Sequence, residues 1–345
     1  ILRLMDTEKA KVHFGNFAAQ WLTTDAVIDA PKDALLFPKY TKEVRLAMAQ
    51  EVREIFTHVL FDDSASFSEL YNSNYTFVNE VLADFYGIPG VTGSDFEKVV
   101  IPERGGLITS GAFLSAWSSP TDSKLIIRGV RLRERFLCQH LPPFPSNVDL
   151  DGIRKAQADK VAEIKADNDG DIRQSHLDYI TTDVDACKGC HEYIINPLGV
   201  GLEDFDAVGL PRTEYSDNKL SVDFQGFEPE KAAHNSTFYG INDIDDSTEF
   251  RTFQGAKELG EIFAGEDVAK ACLIEMGFRY MMGTGPDEFD HDDKTRIVMA
   301  DDELIDYECV SSAMMAEMEN QLSPKAAFVK MGLSDIVRFR KQRNR

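Results

Sequence analysis

Cys187, Cys190 and His191 form the run Cys187-Lys188-Gly189-Cys190-His191, spaced as C-x-x-C-H. Two thiols three residues apart can reach the two vinyl groups on one edge of a haem. A histidine placed directly after the second thiol turns under the ring and offers a nitrogen to the iron. This is the attachment spacing of a c-type haem. It predicts one covalent haem c, held through Cys187 and Cys190, with His191 as the proximal iron ligand. Two other chemistries use the same pair of cysteines. A thioredoxin-like redox pair follows a strand within a βαβ pattern, whereas residues 171–185 read as a helix and a polar turn. A structural zinc site needs a second ligand pair, and the sequence contains no second C-x-x-C.

The elements that must position this motif read as helices. Phe14, Phe17, Ala18 and Trp21 fall at helical spacing, as do Val44, Met48, Val52, Ile55 and Val59 after the N-cap candidate Thr41. Thr76 is placed to cap a third helix carrying Phe77, Val81, Leu82 and Phe85, with Gly87 as its stop. A fourth helix is expected from Lys124 to Leu137. Such stripes are first of all core packing. Pro142, Pro143 and Pro145 then exclude helix, and a polar run follows from Asp151 to Asp171. Its end, Asp167-Asn168-Asp169-Gly170-Asp171, resembles part of a calcium loop. Aligned on Gly170, however, Lys165 falls at the first ligand position, so a capped helix start at Asp171 fits better. From Tyr215 to Arg251 the chain is polar, suited to loops or short strands. Helices are expected again at Gly255–Phe263, Asp267–Met282, Asp301–Gln321 and Pro324–Met331, the last with proline at its first position. The expected fold is therefore mainly α-helical, with helical lobes flanking a haem-binding segment and few short strands. The expected domains are an N-terminal helical domain over 1–100, a haem-binding c-type cytochrome domain over 101–214 and a C-terminal helical domain over 215–345.

Bulk composition narrows the partners. The 345 residues carry 59 acids against 37 Lys and Arg, a net charge of −22. A phosphate backbone would be repelled, so no nucleic acid is expected; the same acidity serves solubility, or a basic protein partner. No stretch approaches the roughly 20 apolar residues of a transmembrane helix. The chain opens on Ile1, consistent with a processed product or a piece of a larger chain or complex. Five cysteines are too few for a disulfide scaffold at this length. Cys272 and Cys309, on neighbouring expected helices, are candidates for one bridge.

The stretch from Cys187 to Arg212 resembles the haem segment of the planctomycete-type cytochrome c family. It carries Pro197-Leu198-Gly199, Glu203-Asp204-Phe205-Asp206, Gly209 and Arg212 in the family's order. Asn74–Pro89 is similar to the family's helical domain. Arg104-Gly105-Gly106-Leu107, Arg128-Gly129, Asn147-Val148 and Phe278–Gly283 match further landmarks. Two departures are visible. The segment between His191 and Pro197 is one residue longer than in the family, and Ser123-Lys124-Leu125 replaces a threonine-serine-proline. The resemblance implies an exported bacterial haem protein, periplasmic or extracellular, that transfers electrons to or from another redox protein.

The second axial position decides between transfer and catalysis. Filled by Met or His it favours electron transfer; left open it permits peroxide or oxygen chemistry. His140, beside the Pro-rich run, and the Met281/Met282 pair are the distal candidates, with His176 a weaker one. Each also has an ordinary role, His140 as a helix C-cap and the methionines as core filler. Pro197, Leu198 and Phe205 are expected to wall the haem, and Arg212 and Arg173 to face its propionates or the surface. The leading expectation is a monohaem electron-transfer protein. The alternative is a peroxidase- or oxygenase-like enzyme with an open iron, which would need a distal acid–base residue; only His140 offers itself.

Overall fold

The computed structural model describes residues 1–139, 141, 148–167, 187, 190–212, 253, 255–286, 297–321 and 324–338. The Pro-rich run, the acidic segment after Asp167 and residues 213–252, where the C-terminal lobe is expected to begin, lie outside them. The described chain is mainly α-helical, with two small two-stranded sheets. Helix α1 (Glu8–Leu22) starts where the Thr7 side chain accepts from Ala10 N, and α2 (Lys42–Phe61) where Thr41 accepts from Val44 N. Their apolar stripes meet: the Phe17 and Trp21 rings lie 5.5 and 6.2 Å from Phe56.

Thr76 does not cap the third helix. Tyr75–Val78 is a strand, β1, antiparallel to β2 (Glu97–Val100), with Tyr75 opposite Val100. The β-branched and aromatic run Tyr-Thr-Phe-Val favours a pleated surface, and Asn79 instead caps α3 (Glu80–Tyr86), which ends on Gly87 at φ 75°. After α4 (Gly111–Ala116), α5 covers Leu125–Phe136, within one residue of expectation at either end. The polar run before Asp167 is helical, α6 (Leu150–Asp167). The haem-motif segment follows, ending in the short α7 (Asn196–Val200). The later helices α8 (Gly255–Gly265), α9 (Asp267–Met282), α10 (Asp301–Gln321) and α11 (Pro324–Leu333) lie where the spacing places them.

One hydrophobic core takes residues from all three expected domains, from Met5 to Met331. Phe136 of α5 sits at its centre, with ring centroids 5.7 Å from Trp21, 5.8 Å from Tyr71 and 5.2 Å from Phe113. On the far side Phe328 of α11 lies 5.1 Å from Phe14, and Tyr280 of α9 5.3 Å from Phe17.

The disulfide joins Cys272 to Cys138, not to Cys309. The reason is helical phase. Helix α10 meets α9 through Tyr307, 5.0 Å from Phe278. Cys309, two residues further on, turns to the opposite side and is exposed. Cys272 is 1% exposed and faces the end of α5, where Cys138 follows the helix. The bridge thus ties the late helix α9 to the end of α5, the helix that packs against residues 195–199.

Candidate functional site

Cys187 and Cys190 are both helical, and both thiols are unpaired. Burial raises the Cys187 thiol above its ordinary range, and neighbouring Cys190 adds to this. His191 opens a π turn, His191–Ile195, in which Asn196 N–H donates to His191 O, five residues back. Such a turn holds one residue more than an α-helical turn. The segment between His191 and α7 is accommodated by this wider turn. It brings the Asn196 side chain to the imidazole, with His191 Nδ1 and Asn196 Oδ1 3.0 Å apart. Burial lowers the His191 pKa below its ordinary value, while the Asn196 bond acts in the opposite direction.

Helix α5 forms the floor of this segment. The two glycines that face each other explain two landmarks at once. A Cβ on Gly129 would overlap the carbonyl oxygen of Ile195 and lie 3.0 Å from Gly199 N. A Cβ on Gly199 would overlap the carbonyl oxygen of Leu125. The Arg-Gly and Pro-Leu-Gly motifs are therefore two halves of one backbone-to-backbone helix crossing. Arg133 adds a bond from Nε to Ile194 O at 2.6 Å.

The loop that follows α7 is held by buried arginines. Arg128, 0% exposed, donates to Leu202 O at 3.0 Å and Phe205 O at 2.7 Å from Nη1, and to Leu114 O and Asp206 O from Nη2. Its charge is matched by Glu203, also 0% exposed, 3.8 Å away. Arg104 donates to Gly209 O at 2.7 Å and stacks over the Tyr86 ring. Each acidic residue of the Glu203–Asp206 landmark thus has a structural partner. Glu203 accepts from Ser123 Oγ at 3.1 Å beside Arg128, and Asp204 accepts from Ala256 N at the start of α8. Asp206 closes a turn by accepting from Val208 N and Leu210 N, both at 2.9 Å. Burial raises the Asp204 and Asp206 carboxyls above their ordinary range.

Pro197 and Leu198 are buried in α7, beside the His191 turn, and Phe205 is buried in the main core with the Arg104 guanidinium 5.3 Å from its ring. The structure sets Arg212 in the buried network, where it bonds Asp122 Oδ1 at 3.1 Å, Ser123 Oγ at 2.6 Å and Phe205 O at 3.3 Å. Met282 is core, at 6% exposure, with Met281 packed against the same cluster. Both stand at the end of α9 beside Tyr280, which bonds His13 O of α1. The residue of α9 that meets the end of α5 is Cys272, ten positions or about 15 Å of helix away. His140, His176 and Arg173 lie outside the described residues. Among the described residues, no group of three or more His, Cys, Asp and Glu is placed to hold a metal ion, so the zinc reading gains no further ligands there. Sequence reasoning missed Asn196 and the buried Glu51, which accepts from Thr76 Oγ1 at 2.6 Å and Tyr86 OH at 2.8 Å.

No helix among the described residues is long and apolar enough to cross a membrane. No curated protein and no solved structure matches the chain. Residues 1–88 match PSD4, described as a protein of unknown function (DUF1592), and residues 104–215 match PSCyt3, described as a protein of unknown function (DUF1588). Both matched families are planctomycete cytochrome c-associated domains, and the second match spans the segment from Cys187 to Arg212.

Proposed function

We propose that this chain is a monohaem c-type cytochrome that transfers electrons through a haem c attached to Cys187 and Cys190. The observation that carries the reading is the state of the cysteines. Cys138 and Cys272 pair with each other across 134 residues, while the two thiols beside His191 stay unpaired. That donor set, two thiols next to an imidazole, fits a c-type haem. Bound there, the haem supplies a one-electron couple at its iron. The protein's part is to hold the thiols and the imidazole in place, and to exclude water with Pro197, Leu198 and Phe205.

A structural disulfide suits an oxidising compartment, which supports export to the periplasm or the outside of a bacterial cell. The net charge of −22 supports docking to a redox partner with a basic face. Intact mass after acid–acetone extraction tests the attachment: one haem per chain should remain, and complete loss of haem would refute it. An optical spectrum tests the function. Low-spin iron in both oxidation states is expected; a high-spin resting spectrum with rapid peroxide turnover would favour an enzyme.

A further inference from the structure

Resting on the haem reading above, we propose that Asn196 is a positioning residue for His191, and that the π turn exists to bring the two together. An α-helical turn places residue i+4 over residue i. The turn from His191 is one residue wider, closing with Asn196 N–H on His191 O, so residue 196 rather than 195 lies over the imidazole. Ile195 is instead turned into the crossing with α5, where its carbonyl meets Gly129. The consequence is the 3.0 Å approach of Asn196 Oδ1 to His191 Nδ1.

Asn196 is 6% exposed, and its Nδ2 has no hydrogen-bond partner among the described residues. A buried amide donor without a partner is costly. Among the described residues, the polar contact of this amide is the one its Oδ1 makes with His191 Nδ1. With Nδ1–H donating to Oδ1, the remaining ring nitrogen, Nε2, carries the lone pair that a metal ligand needs. The reversed amide, with Nδ2 donating to Nδ1, would put the proton on Nε2 and block it.

Asparagine rather than aspartate also sets the strength of the effect. A neutral acceptor withdraws little of the Nδ1 proton, whereas a carboxylate makes the imidazole a stronger donor and favours ferric iron. Asn196 therefore fixes the orientation of His191 while holding the reduction potential above the value a carboxylate would give.

Two measurements on the full chain test this, with Asn196→Ala and Asn196→Asp. The first reads the His191 tautomer by ¹⁵N NMR in protein expressed without haem. Wild type should hold the proton on Nδ1. Asn196→Ala should shift the tautomer ratio toward Nε2–H by roughly tenfold, the worth of about one hydrogen bond, and Asn196→Asp should restore Nδ1–H. The second is a redox titration of the haem-loaded protein, where Asn196→Ala should raise the potential and Asn196→Asp lower it. Shifts of opposite sign are not produced by a merely structural role. Wild type protonated on Nε2, an unchanged tautomer in Asn196→Ala, or potentials that move together or not at all would overturn the proposal. If Asn196→Ala fails to fold, the wild-type tautomer and the sign of the Asn196→Asp shift decide alone. Absence of haem from the wild-type chain would refute the haem reading and leave the tautomer measurement to judge Asn196.

Discussion

Replacing Gly129 with alanine tests the crossing that seats residues 195–199 beside His191. The new Cβ would overlap the carbonyl oxygen of Ile195 and sit 3.0 Å from Gly199 N and 3.1 Å from Ile195 C. All three are backbone atoms, so no side chain can swing aside. The two helices must separate by about 1 Å to reach ordinary contact distances. Overpacking of this kind costs about 3 kcal/mol, and the better helix propensity of alanine returns about 1 kcal/mol. The expected loss is therefore roughly 2 kcal/mol, read as a lower urea midpoint by tryptophan fluorescence. Gly265→Ala is the control, because at the end of α8 the added methyl would meet nothing within 4 Å. It should be neutral or slightly stabilising. Because α7 continues the His191 turn, Gly129→Ala should also alter the haem spectrum, and Gly265→Ala should not. A Gly129→Ala protein as stable as wild type, with an unchanged spectrum, would refute the idea that this close crossing positions His191.

Arg128→Met should cost about 3–5 kcal/mol, because it takes the nearer cation from the buried Glu203 carboxylate and strips the donor from the Leu202 and Phe205 carbonyls; a loss below about 1 kcal/mol in denaturant melts would contradict this network. Cys138→Ser with Cys272→Ser should lower stability by about 2–4 kcal/mol, since the bridge closes a span of 134 residues, and reductant should then no longer change the melting temperature. Lys32 donates to the Ser115, Ser118 and Ser119 carbonyls, and burial first, then Arg128, brings its pKa from 10.5 to about 8. The unfolded chain therefore binds more protons between about 8 and 10.5, and stability should rise with pH across that window. Lys32→Met should flatten the rise in denaturant midpoints measured across it.

The helices were legible because burial imposes a period. Val44, Met48, Val52, Ile55 and Val59 each lie at or below 4% exposure on α2, and α9 and α10 occupy the ranges their spacing gives. Thr76 shows the limit. A capping residue type is a local signal, and the strand pairing with Glu97–Val100 overrode it from about twenty positions away. The cysteines show another limit. Pairing depends on which helical face each thiol occupies, and neighbouring helices do not ensure that two thiols face each other. The chemical motif was legible as residue types, but its support was not. Arg128 and Gly129 were visible as a landmark; that the arginine holds the loop after α7 and the glycine admits α7 follows only from the packing.

The contacts that hold 195–209 run to protein groups, and this carries a last prediction. Arg128 binds the carbonyls of Leu202, Phe205 and Asp206, Arg104 binds that of Gly209, and Asp204 caps α8. Gly129 and Gly199 fix the approach of α7 to α5. A scaffold of this kind can place His191 by folding alone, so that the proposed haem would meet a prepared imidazole and the ordering cost would be met by folding. The amides of Val208 and Leu210, which donate to Asp206 Oδ1, and of Arg212, which donates to Asp204 O at 2.7 Å, report on it directly. In the full chain expressed without haem they should exchange on the order of 100-fold more slowly than in an unfolded chain, the signature of a structured segment. Arg128→Met should remove most of that protection while leaving α2 protected, because the bonds Arg128 makes run to this loop and to the end of α4. Exchange of these three amides at unfolded rates in the haem-free chain would mean that the cofactor builds its own seat, and that the buried arginines act only after it is bound.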